Sequence, residues 1–291
     1  MKLTWIVKKS DKDVLILKDF LKSKDISRQL LKSVKEIPNS IQVNNQSEKV
    51  TKLLQIGDLV TFMLPNQKAS SHVRATKGPL DILYEDDYFI ALNKPVGVPS
   101  LPTHKNREET IANFLLCYYE EKNYLNTVIH PVSRLDKDTS GVIIYAKSGY
   151  IHHLFSKLEI TKRYNALVEG HLLIKEDIVD LPIGRVSGSI IKRAVLPEGK
   201  PARTKYKVIK EFPKYSFNEI ELLTGRTHQI RVHFSYLKNP LLGDDLYGGS
   251  TNHINRHALH CYDLQFVHPI TQEQVRLTAP LPNDMLLLIK E

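Results

Sequence analysis

Two cysteines in 291 residues, Cys117 and Cys261, are too few and too far apart to specify a disulfide framework or a metal site, and both are expected to be reduced. No apolar run is long enough to cross a bilayer. The only early hydrophobic stretch is broken by Lys8, Lys9, Asp11 and Lys12, which argues against a signal peptide; the expectation is a soluble cytoplasmic protein. Neither G-x-x-x-x-G-K-[ST] nor G-x-G-x-x-G occurs, so nothing points to a nucleotide-binding loop. His228, His233, His257 and His260 match no zinc-protease spacing and Cys261 lacks a nearby partner cysteine, which leaves no expected metal. Internal repeats and low-complexity segments are also missing. The cysteines give no clue to oligomeric state, and a monomer is the default.

Positive charge is plentiful. The formal net charge is +9 and the pI about 9.3, which suits a polyanionic partner, nucleic acid above all, or serves solubility alone. Residues 1–65 carry twelve Lys or Arg against seven Asp or Glu, a net of +5, so over half the excess lies in under a quarter of the chain. Leu15 to Phe20 and Ser27 to Lys35 read as helices, with Asp25 or Ser27 as cap. Ile41 to Asn45 and Leu59 to Leu64 read as strands, the second entered through the Gly57-Asp58 turn. Residues 66–79 are rich in Gln, Lys, Ser, Thr, Gly and Pro and read as a linker. From residue 80 to 291, short strand signals alternate with a few helices such as Glu108 to Glu121 and Tyr150 to Leu158. That pattern predicts an α+β domain around a mixed, mainly antiparallel sheet.

Two polar clusters stand out from this background. His130-Pro-Val-Ser-Arg134-Leu-Asp136-Lys-Asp138-Thr-Ser-Gly141 runs into the apolar strand Val142 to Ala146, so its acid sits on a loop held by a rigid strand. Taken alone, Asp136 and Asp138 either organise a turn or serve chemistry. The second cluster is Thr224-Gly-Arg226-Thr-His228-Gln-Ile230-Arg231-Val-His233, after the strand-like Phe217 to Leu223. A helix starting near Thr227 aims one of the two arginines inward. A carboxylate in a pocket is costly by several kcal/mol unless paired, and an arginine fork matches it best. The pair of clusters favours a site over a solvated basic turn.

At these residues the chain resembles the RluA-type family of RNA pseudouridine synthases. The loop Arg134-Leu-Asp136-Lys-Asp-Thr-Ser-Gly141 is similar to the family's catalytic motif, which implies that Asp136 is the essential aspartate and that Arg134 helps displace the target nucleotide. In Lys162-Arg163-Tyr164-Asn-Ala-Leu-Val-Glu-Gly170 the resemblance implies that Tyr164 stacks on the base and takes part in proton transfer. Within Gly225-Arg226-Thr-His228-Gln-Ile230-Arg231 it implies that Arg231 is the ion-pair partner of the aspartate and Ile230 an apolar wall under the base, with Arg226 and His228 toward the RNA. Further similar stretches are Leu83 to Gly97, Lys200 to Tyr206, Asn239 to Gly248 and Leu259 to Leu264, in family order. Asn93-Lys94-Pro95 reads as a strand end braced by proline, with Lys94 near the cleft and expected to contact the RNA. One position departs: Ser133 stands where the family often has histidine, which bears on the loop's hydrogen bonding and RNA preference.

The resemblance also implies a bent sheet around a central RNA-binding cleft. Residues 1–65 resemble an S4-like RNA-binding domain, small and α/β, through Ser27-Arg28, Val43-Asn44-Asn45 and Gln55-Ile-Gly-Asp-Leu-Val, although Ile37-Pro-Asn-Ser40 replaces its usual glycine turn. The implied reaction breaks the bond from C1′ to N1 of uridine and rejoins the base through C5, which calls for a carboxylate and for no cofactor, metal or nucleotide. Asp136 attacks C1′ or removes an adjacent proton; both routes are open. The expected partner is structured RNA, large-subunit ribosomal RNA ahead of tRNA. A glycosidic hydrolase releasing the base and a silent RNA-binding assembly factor are the competing readings.

Overall fold

A computed structural model describes residues 1–11, 16–35, 37–103 and 106–290. The first 63 residues build β1 (Lys2–Ile6), α1 (Leu17–Ser23), α2 (Arg28–Val34), β2 (Ile41–Val43), β3 (Gln46–Ser47) and β4 (Leu59–Met63), with the strands in the order β1-β4-β2-β3. Leu15, the expected start of the first helix, lies outside the described residues. Of the two candidate caps, Ser27 takes the role: its Oγ accepts the Leu30 N–H at 3.1 Å, while Asp25 adopts a left-handed φ of 62°. Asn44 and Asn45, at φ 53° and 66°, make the two-residue turn between β2 and β3 that the strand reading had absorbed. Asn39, at φ 60°, supplies a left-handed residue in the turn at residues 37–40 that replaces the usual glycine turn, a conformation that asparagine tolerates better than most side chains.

The remainder forms β5 (Ile82–Glu85), β6 (Phe89–Lys94), α3 (Ile111–Glu121), β7 (His130–Pro131), β8 (Ser140–Ala146), α4 (Gly149–Phe155), β9 (Thr161–Glu169) and β10 (Glu176–Asp180). Then come β11 (Ile183–Arg185), β12 (Arg193–Val195), β13 (Arg203–Glu211), β14 (Tyr215–Leu222), α5 (Gln229–Tyr236), β15 (Leu259–Val267), β16 (Gln274–Thr278) and α6 (Asn283–Lys290). Ten strands share one sheet in the order β10-β13-β14-β9-β15-β8-β6-β5, with β16 added on β15 and β7 on β8. This is the mixed, mainly antiparallel α+β architecture that the sequence predicts. The parallel pairing is β15 against β8, where His260 faces Ser140 and Cys261 faces Gly141. Gly141 is required there: its φ is 111° and a Cβ would lie 2.1 Å from the Cys261 carbonyl oxygen.

Every residue of β8 is buried, as expected of an apolar run covered on both faces. One contiguous core reaches from Phe20 and Phe62 to Phe89, Tyr145 and Phe234. Helix α3 opens with a capping box between Thr110 and Asn113, three residues later than its sequence pattern suggests. Residues 66–79 carry no helix or strand but are tied down: Gln67 Oε1 accepts the Gly149 N–H at 2.9 Å, and Asn113 Nδ2 donates to the Arg74 carbonyl at 2.7 Å. Tyr150 on α4 donates to the Lys24 carbonyl at 2.7 Å and Lys157, just past α4, pairs with Asp25, so both tie this segment to the N-terminal unit. Among the described residues no helix is long and apolar enough to cross a membrane.

Candidate active site

Gly141, Cys261 and Tyr164 lie in one row across β8, β15 and β9. The loop that enters β8 therefore ends beside Tyr164, and a cleft of about 1100 Å³ opens over this row, lined by Arg134, Asp136, Tyr164, His228, Ile230 and Arg231 among others. Tertiary bonds fix the loop on both sides. Ser100 Oγ donates to the Leu135 carbonyl at 2.9 Å, Thr139 Oγ1 lies 2.7 Å from His257 Nε2, and the Thr139 N–H closes a turn on the Asp136 carbonyl at 3.1 Å. His257 is held neutral, its pKa pushed down to about 2 by burial and by the nearby Arg231 and Arg256 charges.

Arg231 reaches the acid from α5. Its Nη1 donates to Asp136 Oδ2 at 3.1 Å, while Nε and Nη2 fork onto Asp244 at 2.7 and 2.8 Å. Burial opposes its charge, but the two carboxylates outweigh that penalty and raise its pKa above the ordinary arginine value. The Tyr247 ring lies under the guanidinium, 5.0 Å from it. Asp244 and Tyr247 have no assigned role in the sequence reading. Their signal was present in the Asn239 to Gly248 stretch: Gly243, at φ 72°, turns the chain so tightly that a Cβ would sit 2.0 Å from the Arg256 carbonyl oxygen.

Tyr164 is 6% exposed, and burial first, then the Cys261 thiol, raises its pKa well above the usual tyrosine value. It therefore presents a phenol, not a phenolate, to the cleft at neutral pH. Ile230 is buried in the cleft wall, and Arg134 is exposed on the acid's own loop. Ser133 also lines the cleft. Arg226 is exposed at the rim and its Nε donates to the Pro201 carbonyl at 2.9 Å. His228 caps α5 in a left-handed conformation, with Nε2 3.7 Å from Asp136 Oδ2.

Lys94 corrects the expectation that it meets RNA. Its side chain is fully buried, and Nζ donates to the carbonyls of Pro95, Val98 and Lys137 at 2.9, 2.8 and 2.8 Å. Burial lowers its pKa to about 7 against the raising effect of Asp138 and Asp136. It braces the underside of the Asp136 loop, because the carbonyls of Pro95 and Val98 just beyond it and of Lys137 on that loop take its three donors and none remains for a phosphate.

The arrangement offers an anchored carboxylate, one oxygen of which is bonded to a buried arginine while the cleft admits a nucleoside. Among the described residues no group of three His, Cys, Asp or Glu could hold a metal ion. Residues 88–236 match the family model described as RNA pseudouridylate synthase. The chain is 41% identical over 280 residues to the "Uncharacterized RNA pseudouridine synthase YjbO" of Bacillus subtilis (strain 168), covering 95% of this chain and 99% of that one. It is 35% identical over 284 residues to the "Ribosomal large subunit pseudouridine synthase D" of Vibrio parahaemolyticus, covering 91% and 86%. Its fold is similar to that of human RNA Pseudouridylate Synthase Domain Containing 1, with a TM-score of 0.57, 26% identity and 69% and 83% of the two chains covered. With the family model matched over residues 88–236 and nearly its whole length shared with such relatives, the chain belongs to the RNA pseudouridine synthase family.

Proposed function

We propose that this enzyme isomerises uridine in large-subunit ribosomal RNA and that Asp136 is the reacting carboxylate. The observation that carries this reading is the shared arginine: Arg231 is anchored by two bonds to Asp244 and gives a third, from Nη1, to Asp136. Such an anchor fixes the carboxylate at the floor of the cleft. The carboxylate attacks C1′ or removes a proton beside it, the C1′–N1 bond breaks, the base turns and C1′ rejoins at C5. The proton leaves C5 and N1 gains one, so the product is an isomer and no electrons are exchanged. Tyr164, as a phenol beside the base, orients or relays the C5 proton.

Unstacking the target costs a few kcal/mol, which Arg134 offsets by filling the vacated place. Arg226 and His228 extend the polar rim toward the RNA backbone. Residues 1–65 act as an S4-like RNA-binding domain, residues 66–79 as the connection and residues 80–291 as the catalytic domain, working as a monomer in the cytoplasm. The ribosomal target is supported by the relatives named for the large subunit and by the basic N-terminal unit. The test is pseudouridine mapping by carbodiimide labelling and primer extension on ribosomal and transfer RNA, from cells with the gene, without it and with Asp136→Asn. Large-subunit sites missing in both defective strains are expected. Sites missing only from transfer RNA would overturn the ribosomal target, and sites retained with Asp136→Asn would overturn the role of the acid.

A further inference from the structure

Beside Arg231 a second donor faces Asp136, and its protonation is set from behind. Tyr247 closes the 3-10 turn Asp245–Tyr247 that follows Asp244, is 7% exposed, and is held by Ser235 Oγ donating to its carbonyl at 2.8 Å. Its hydroxyl oxygen accepts the Arg193 N–H from β12 at 3.0 Å and lies 2.9 Å from His228 Nδ1. A backbone N–H can only donate, so the phenol oxygen is the acceptor in the first bond. Among the described residues the hydroxyl proton then has His228 Nδ1 as its acceptor.

That assignment places the single proton of a neutral imidazole on Nε2, the nitrogen 3.7 Å from Asp136 Oδ2. Burial lowers the His228 pKa, with Arg231 and Arg193 adding to the effect against Asp136 and Asp244, so the ring is neutral at physiological pH. Burial likewise raises the Tyr247 pKa and keeps its proton in place. The two rings meet edge to face at 5.7 Å and 83°. Both Nη1 of Arg231 and Nε2 of His228 address the same oxygen, Oδ2.

We propose that Tyr247 is a positioning residue for the isomerisation: it locks His228 in the Nε2–H form and aims that proton at Asp136 Oδ2, leaving Oδ1 to meet C1′. At 3.7 Å the contact is longer than a hydrogen bond, and on this reading it must shorten to one when the nucleoside fills the cleft. The inference rests on the reading of Asp136 as the reacting carboxylate, but its first readout does not require activity.

Nitrogen-15 NMR of histidine-labelled enzyme, with the His228 signals identified by their loss in His228→Gln, reports the tautomer directly. The Nε2–H form is expected in the native enzyme and a mixture in Tyr247→Phe, which keeps the ring under Arg231 and removes the hydroxyl. Release of tritium from C5-labelled total RNA, isolated from cells lacking the gene, should fall about tenfold in rate at saturation with KM unchanged, the effect of one hydrogen bond on a barrier. The double variant should be no slower than His228→Gln alone. An Nδ1–H tautomer in the native enzyme, an unchanged tautomer in Tyr247→Phe, or additive losses would each overturn the proposal. A failed role for Asp136 would show itself separately, as tritium release by Asp136→Asn.

Discussion

The same charge is put to opposite uses at the two ends of this chain. Arg231 is 6% exposed and bonded to two carboxylates, whereas Lys18, Lys22, Arg28 and Lys32 lie exposed on α1 and α2, without an ion pair among the described residues. A buried, fully partnered cation cannot be shared with solvent and fixes an anion in place. Solvated, unpartnered cations hold no geometry but release counterions from a phosphate backbone. On the proposed reading the cleft reacts and the N-terminal unit attracts RNA, and the two functions should come apart under mutation.

The widest separation is expected from Asp136→Asn. Tritium release should fall at least ~10³-fold, the scale on which enzymes lose rate when a member of the catalytic unit is removed, while filter-binding affinity for RNA stays within about twofold. Arg231 keeps both bonds to Asp244 in that variant, so the fold is not at stake. A parallel loss of affinity and rate would erase the division between the two regions.

Arg231→Ala tests the buried cation itself. It strands Asp244, 1% exposed, without its partner, at a cost of about 3–5 kcal/mol, and it removes the donor from Asp136. Thermal unfolding should show a drop of several degrees and turnover should vanish together. An equal stability in Arg231→Lys would show that the fork is dispensable to the fold. Tyr164→Phe should be milder, with a folded protein and tritium release slowed by roughly 10²-fold as the relay is lost. Full turnover there would leave the ring, and not the hydroxyl, as what matters.

Much of this division was legible in residue order. The polar loop before Val142 to Ala146 announced a side chain held at a strand entrance, and the five-residue spacing of Arg226 and Arg231 around a helix start announced that one points inward; Arg231 does, and Arg226 stays at the rim. Helix α2 was visible through its Ser27 cap, and α3 as a helical stretch read from Glu108, three residues before its start at Ile111. Lys94 was not, because a buried ammonium is tolerable here only when the Lys137 carbonyl, 43 residues away, joins those of Pro95 and Val98, and that meeting is tertiary. Asp244 was hidden for a similar reason: it lies thirteen residues beyond Arg231, and only the Gly243 turn brings it back. Turn residues at Asn39, Asn44 and Asn45 blurred strand ends because asparagine takes left-handed conformations that the pattern of apolar residues does not encode.

The smallest effect expected lies in the basic unit. Replacing Lys18, Lys22, Arg28 and Lys32 together by Gln removes exposed charge and no observed ion pair, so unfolding should be nearly unchanged. Each phosphate that α1 and α2 no longer neutralise should lower the slope of log affinity against log salt by about 0.7–0.9, and two such phosphates would weaken binding at physiological salt by roughly tenfold. The single-turnover rate at saturating RNA should hold, since Arg231 and Asp136 are untouched by the change. If instead the rate falls at saturation while the salt slope stays fixed, α1 and α2 do not hold RNA through charge. The coupling would then run through the Tyr150 and Lys157 contacts that join this unit to α4 and the turn after it.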